Sequence, residues 1–388
     1  MNIQRSLFSL LAVSLALLLA LGSCVLFDPP PPPETEPDWG NLPVHDPEPA
    51  SVSRYYFEQL SQIEKHAYTM VLEELESFPE EIEVPPINRD QLEQVFLALT
   101  YDNPRLMMLG NRCEVNPTGG KSYFSCEYRY DEELYRQKAA ALDEAVAEIL
   151  REMPLALSEW ETELYLHDAL LTRCSFTHSG NPDEGTAYGA LVTGEARCEG
   201  YARAMKLLMD EVGLQCYVIC GSGVSPEGKP ENHMWNIVRI ENDYYHLDPT
   251  WNDPVSDRGE THRYLYFNLS DEEISKTHSE FYSVHSCHAT QANYFVKTGL
   301  LFQEYNDRTR TKISSALAER VNAGYSNLEF RFAEPAAYQQ ALDGLKDGQV
   351  GRILTNAALS SRKKFETQGA SYMANDDFLV INLIVTLK

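Results

Sequence analysis

Cys198, His233 and Asp248 are the residues whose types, order and surroundings could perform nucleophilic chemistry. The stretch 194–213 reads as a short loop, a cysteine and an amphipathic helix. Tyr201, Ala204, Met205, Leu208 and Val212 recur at three- and four-residue steps, so one face is apolar. Gly213 follows the last periodic residue, where a left-handed C-terminal cap is usual. Cys198 therefore falls at or just before the helix N-terminus. There the unpaired N–H groups and the positive end of the helix dipole favour a thiolate. A protonated histidine nearby would lower the thiol pKa further, which is how a cysteine nucleophile is activated.

A nucleophile needs a base, and the base needs an orienting group. His233 opens a β-prone run to Ile240, and a polar turn follows. A second run, Tyr244 to Trp251, holds Asp248, so the two read as a hairpin. A turn at Asn242-Asp243 would put His233 and Asp248 on one face. It would also leave them about four residues out of register, on the order of 13 Å. A hydrogen bond needs roughly 3 Å, so twist, a bulge or a different turn must close the gap. Asp253 is a rival acid. Asp248 is preferred because it lies in the apolar strand, whereas Asp253 precedes a proline in a loop.

At these residues the chain resembles the transglutaminase-like superfamily of papain-like thiol enzymes. The matching blocks are Cys-Glu-Gly-Tyr-Ala at 198–202, Gly-Leu-Gln-Cys from Gly213, His-Met-Trp-Asn at 233–236 and Tyr-His-Leu-Asp-Pro-Thr-Trp at 245–251. The likeness covers about residues 160–290. Within it, Tyr-Phe-Asn-Leu-Ser-Asp-Glu-Glu at 266–273 resembles the tail such domains carry in bacterial lipoproteins. The resemblance implies Cys198 as nucleophile, His233 as general base and acid, and Asp248 as orienter.

The chemistry expected is acyl transfer through a thioester, which requires an oxyanion hole. The backbone N–H of Cys198 is the natural first donor. Tyr188 is a candidate second donor only by resemblance, and packing is its commoner role. Trp235 either shields the site or fills the core, and the core is favoured. No cofactor is expected. Some relatives depend on calcium, but no Asp-rich calcium loop is visible. His278, His285, Cys287 and His288 invite a metal reading, which is set aside because the cluster lacks a Cys-x-x-Cys pair.

The elements that must hold these residues come from a chain of 388 residues with a net charge of −26. That charge disfavours nucleic acid and anionic lipid as electrostatic partners. Residues 1–24 read as a lipoprotein signal peptide: Arg5, an apolar run from Leu7, then Leu21-Gly-Ser-Cys24, with Cys24 as the lipidated residue. An uncleaved anchor is the alternative. Residues 25–50 form a Pro-rich acidic linker, with Pro29 to Pro33 favouring polyproline II.

Residues 51–155 are expected to be mainly helical. A helix from Tyr56 to Leu75, one near Gln91–Ala98 and one over Glu132–Met153 accompany a hairpin whose arms carry Cys113 and Cys126. These two thiols could pair. The catalytic domain spans 156–290 and opens with a Ser158/Glu161 capping box. Residues 291–388 read as an accessory α+β region, with strands at Tyr294–Phe302, Asn327–Phe332 and the terminal run, and helices at Thr309–Val321 and Ala336–Leu345. Removing Cys24 from eight cysteines leaves an odd number, so at least one thiol is unpaired within the chain. Cys198 is the expected free one, against a bridge to Cys216 or Cys220.

The reading is an α+β, transglutaminase-like core in a membrane-tethered, extracytoplasmic thiol enzyme. Its substrates would be peptides or proteins, cell-wall peptides among them, and its outcome proteolysis, deamidation or crosslinking. The alternative is a catalytically silent binding or structural lipoprotein with the same fold. Oligomeric state is not legible.

Overall fold

Alternation of helix-forming and strand-forming stretches builds, among the described residues, three larger sheets in succession and one two-stranded pair. The computed structural model describes residues 38–45, 53–118, 121–224, 229–253, 261–279 and 284–388. The segment read as a signal peptide, with Cys24, and most of the expected linker lie outside them. Two units are distinguished, residues 1–42 and 43–388. Of the first, the described part is a turn in which the Asn41 N–H donates to the Asp38 carbonyl at 3.0 Å. All that follows belongs to the second.

Helices α1 (Tyr55–Gln59) and α2 (Gln62–Leu75) replace the single helix expected. Ser61 and Glu64 form a capping box that starts α2 afresh, which is why the run breaks there. Strand β1 (Ile82–Val84) was not anticipated. After α3 (Arg89–Asp102), β2 (Leu109–Thr118) and β3 (Lys121–Tyr128) complete a sheet of order β1-β3-β2. Cys113 and Cys126 stand opposite each other in register, and both thiols are free. The long α4 (Glu132–Glu152) follows.

The Ser158 capping box is present and starts α5 (Glu159–Arg173). Short parallel strands β4 (Ser175–Phe176) and β5 (Glu195–Ala196) then lead to α6 (Cys198–Glu211). The central sheet is antiparallel, of order β10-β6-β7-β8-β9. Its strands are β6 (Cys216–Val224), β7 (Pro230–Ile240), β8 (Asp243–Leu247), β9 (Phe267–Leu269) and β10 (His278–Ser279), with α7 (Pro249–Asn252) and α8 (Asp271–Ile274) between them. Helix α6 lays Tyr201, Ala204, Met205 and Leu208 into the core, all fully buried. It also buries Lys206, whose ammonium donates to the Ser53 and Cys216 carbonyls at 2.9 and 3.1 Å and pairs with Asp210 at 2.9 Å. A buried ammonium is tolerable only when its protons are spoken for.

The last region holds a four-stranded sheet of order β11-β12-β14-β13. The expected strand at Tyr294–Phe302 is instead helix α9 (Tyr294–Lys297) and a short β11 (Leu301–Phe302). Asn293 caps α9, and Tyr294 stacks on Tyr264 with centroids 3.9 Å apart. The apolar run there records aromatic packing, not a sheet face. Helix α10 (Asp307–Ala323), strand β12 (Asn327–Phe332) and helix α11 (Pro335–Gly344) match expectation closely. Helix α12 (Val350–Ser360) was missed, and β13 (Ser371–Asn375) and β14 (Val380–Ile384) end the chain. Among the described residues no helix is long and apolar enough to cross a membrane.

Candidate active site

Cys198 is the first residue of α6, and Arg197 before it contributes no side-chain cap. The N–H groups of Cys198 and Glu199 therefore have no acceptor within the helix, whereas Gly200 N–H donates to the Arg197 carbonyl at 3.0 Å. The thiol is half-buried and free. Gly200 lets the preceding chain press on this turn. A β-carbon there would fall 2.4 Å from the Glu184 carbonyl oxygen and 2.7 Å from Ala196 Cβ.

His233 lies on β7, and its Nε2 donates to Asp248 Oδ2 at 2.7 Å. Cys198 is close enough to the same ring to raise its pKa, and Nδ1 is the nitrogen left to face it. The turn that makes this possible sits one residue earlier than expected. Ile240 pairs with Asp243, so Glu241 and Asn242 form the loop, both with positive φ, as a tight hairpin turn requires. Asn236 faces Leu247. Extending that register leaves Asp248 about two residues from His233, roughly 7 Å along the strand. Side chains span that distance without a bulge between the two strands.

Asp248 is fully buried and caps α7, its Oδ1 accepting from the Trp251 N–H at 3.2 Å. A second imidazole shares it: His278 Nε2 lies 3.1 Å from Asp248 Oδ2, and His278 Nδ1 is 3.0 Å from Thr277 Oγ1. Burial opposes charge on Asp248, yet the charge and hydrogen bond of His233 and the hydrogen bond of His278 hold its carboxyl well below the usual range. Burial likewise opposes the His233 imidazolium. The Asp248 carboxylate outweighs it, with help from Cys198, and the histidine is pushed up to about 10. Burial keeps His278 below its ordinary value, hence neutral. A neutral ring that gives its Nε2 proton to Asp248 accepts the Thr277 hydroxyl at Nδ1.

Aromatic rings fix His233 in place. Trp235 stacks on it at 5.8 Å with planes 16° apart, and Trp251 approaches at 5.0 Å. Trp235 is thus both core, fully buried, and a wall of the site. Gly223 on β6 leaves room for this group, since a β-carbon would meet Trp251 Cζ2 at 2.7 Å.

The other candidates fall elsewhere. Asp253 accepts from the Tyr201 hydroxyl and does not join His233. Tyr188 lies under the Lys138 ammonium, 4.1 Å from its ring centroid, a packing role. Cys216 is buried and Cys220 exposed, both free. His278, His285, Cys287 and His288 do not form one cluster: His278 joins Asp248, His285 stacks on Tyr244 at 3.9 Å, and His288 Nδ1 lies 3.7 Å from Asp271. Cys287 instead groups with His246 and Asp271. Trp235 Nε1–H donates to His246 Nδ1 at 3.1 Å, and His246 Nε2 is 2.9 Å from Asp271. That fixes the tautomer with the proton on Nε2, where a metal would need the lone pair. His278 is the site residue that sequence reasoning misplaced; its partner Asp248 is far away in the chain, and no local pattern announces it.

Comparisons with known proteins bear on the fold. A comparison with curated proteins finds no match. A solved structure described as a TGase is similar at 12% identity and TM-score 0.25, covering 42% of this chain and 48% of that one. A candidate cysteine protease from Cytophaga hutchinsonii is similar at 10% identity and TM-score 0.25, covering 36% of this chain and 61% of that one. This chain thus spans less than two thirds of either. Residues 147–249, which contain Cys198, His233 and Asp248, match the family model described as the Transglutaminase-like superfamily. The chain therefore carries a transglutaminase-like superfamily domain within an α+β fold.

Proposed function

We infer that the protein is a thiol enzyme acting on amide bonds of peptides or proteins. Cys198 is the nucleophile, His233 the base and acid, and Asp248 the orienter. One observation carries this reading: His233 is bonded through Nε2 to a fully buried Asp248, and Cys198, at a helix N-terminus, is near enough to act on the same ring. The raised His233 and the helix end both favour a thiolate–imidazolium pair.

The thiolate attacks the amide carbonyl carbon, and a C–S bond forms. The oxyanion gathers near the N–H groups of the first turn of α6. The imidazolium gives its proton to the leaving nitrogen as the C–N bond breaks, leaving a thioester. Neutral His233 then takes a proton from water or an amine as it attacks the thioester, and the sulfur departs as thiolate when the C–S bond breaks, which restores the ion pair. Water yields hydrolysis or deamidation; a lysine-like amine yields a crosslink. We further propose that a lipid on Cys24 holds the enzyme outside the cytoplasm. On that view the protein incorporates labelled fatty acid and Cys24→Ala abolishes the label; a wild-type protein that takes up no label excludes the lipid anchor.

Alkylation tests the chemistry. Limiting iodoacetamide at pH 6.5, followed by mass mapping, is expected to modify Cys198 about tenfold faster than the exposed Cys220. His233→Ala is expected to abolish that advantage. Equal labelling of the two thiols, or labelling indifferent to His233, would sink the reading.

A further inference from the structure

A cavity of about 240 Å³ lies beside Cys198, and none of the steps above uses it. Tyr101 of α3 and Met234, the neighbour of His233, form part of its wall, with Arg129, Arg197, Glu199 and Arg203 around it. Cys198 does not line it but adjoins it: its chain neighbours Arg197 and Glu199 form part of the wall, and Tyr101 and Cys198 pack on the same small cluster, Ala202, Val218 and Met234.

The charge of this cavity runs against the rest of the molecule. The chain has 58 acidic and 32 basic side chains, yet three guanidiniums and one carboxylate meet here. The arginines are fixed largely by neutral groups. Arg129 donates to the Pro182 and Leu109 carbonyls at 2.7 and 3.2 Å, and its Nε is buried with no partner. Arg203 donates to the Gly185 carbonyl. Carbonyls orient a guanidinium without cancelling its charge. Glu199 and, from behind the wall, Glu184 pair with Arg197 at 3.3 and 3.8 Å, which leaves Arg129 and Arg203 without a carboxylate in ion-pair contact among the described residues. A positioned guanidinium is a planar fork that matches a carboxylate. The volume suits one side chain or chain end, not a large ligand.

We propose that this cavity binds a carboxylate of the peptide whose carbonyl is presented to Cys198. The carboxylate belongs to an acidic side chain or to a free C-terminus. The assignment rests on Cys198 being the reacting thiol, which sets the orientation of the peptide; the charge preference itself does not depend on turnover.

Binding to the full chain carrying Cys198→Ala separates the two. Three peptides of one length are titrated by calorimetry: one with Glu and an amidated end, one with Gln and an amidated end, one with Gln and a free end. At least one carboxylate peptide is expected to bind about tenfold tighter than the Gln amide, and which one identifies the source. Adding Arg129→Gln with Arg197→Gln brings the ratio to about twofold or less. Adding Glu199→Gln instead raises carboxylate affinity, a gain that a misfolded protein does not give. Equal or undetectable binding of all three, a preference that survives loss of the arginines, or no gain in E199Q overturns the proposal. An inert Cys198 in a chain that still selects carboxylates overturns the enzymatic reading alone.

Discussion

Asp248 receives N–H groups from His233, His278 and Trp251. Its role differs toward each: it charges the first, is steadied by the second, and caps a helix with the third. Removing the carboxylate should therefore lower His233. In Asp248→Asn the alkaline limb of the Cys198 alkylation profile is expected to fall from near 10 toward the ordinary histidine value of about 6.5. A limb that stays or rises contradicts the assignment. His278 touches no reacting atom, so it is a positioning residue. His278→Ala is expected to slow Cys198 alkylation about tenfold, in line with losing one hydrogen bond to a charged group. His278→Asn, which keeps an N–H donor, should recover part of the rate, whereas a purely space-filling role predicts no such rescue.

At the scale of elements, the turn at Glu241 and Asn242 sets the register on which the site depends. Both residues hold positive φ, and Asn242 also accepts from Arg239 at 2.9 Å. Asn242→Val places a β-branched side chain in that conformation and should cost about 1–2 kcal/mol, read by urea unfolding; no loss would mean the turn rearranges freely. This turn also shows where sequence reading stops. Helix α6, the capping box at Ser158 and strand β12 were legible because periodicity and cap chemistry are local. The hairpin was legible, but its loop was misplaced by one residue, since Glu-Asn and Asn-Asp are equally polar. Helix α12 was hidden by Gly344, Gly348 and Gly351, which punctuate its approach. The pairing of His278 with Asp248 had no sequence signal, because nothing near His278 names its partner.

Across the whole molecule, buried acids set the response to pH. Burial raises Asp102 to about 7, Asp210 to about 6, Glu163 to about 8 and Glu329 to about 7. These groups lose their protons near pH 4 when unfolded. Between that value and their folded values the native state binds more protons than the unfolded one. Stability therefore falls as pH rises through that window. His233 acts in the same direction: its contribution is complete below about 6.5 and is lost as pH climbs through its raised folded value. The depressed Asp248 opposes this only in acid, where its contribution disappears as pH falls. Self-repulsion from a net charge of −26 reinforces the alkaline loss. The melting temperature should be higher at pH 5 than at pH 8 in scanning calorimetry. A rise over that interval would contradict the burial of these four carboxylates.

The environment of Lys206 bears on how the protein can be dissected. Its acceptors include Ser53, which precedes α1, and the Tyr56 hydroxyl likewise donates to the Val218 carbonyl of the central sheet at 2.7 Å. A fragment excised to the family-matched stretch would leave an ammonium with fewer acceptors, and an uncompensated buried charge costs about 3–5 kcal/mol. Such a fragment would be prone to collapse, and its inertness would say nothing about the full chain. The upstream residues are part of the scaffold on which the thiol-bearing helix rests.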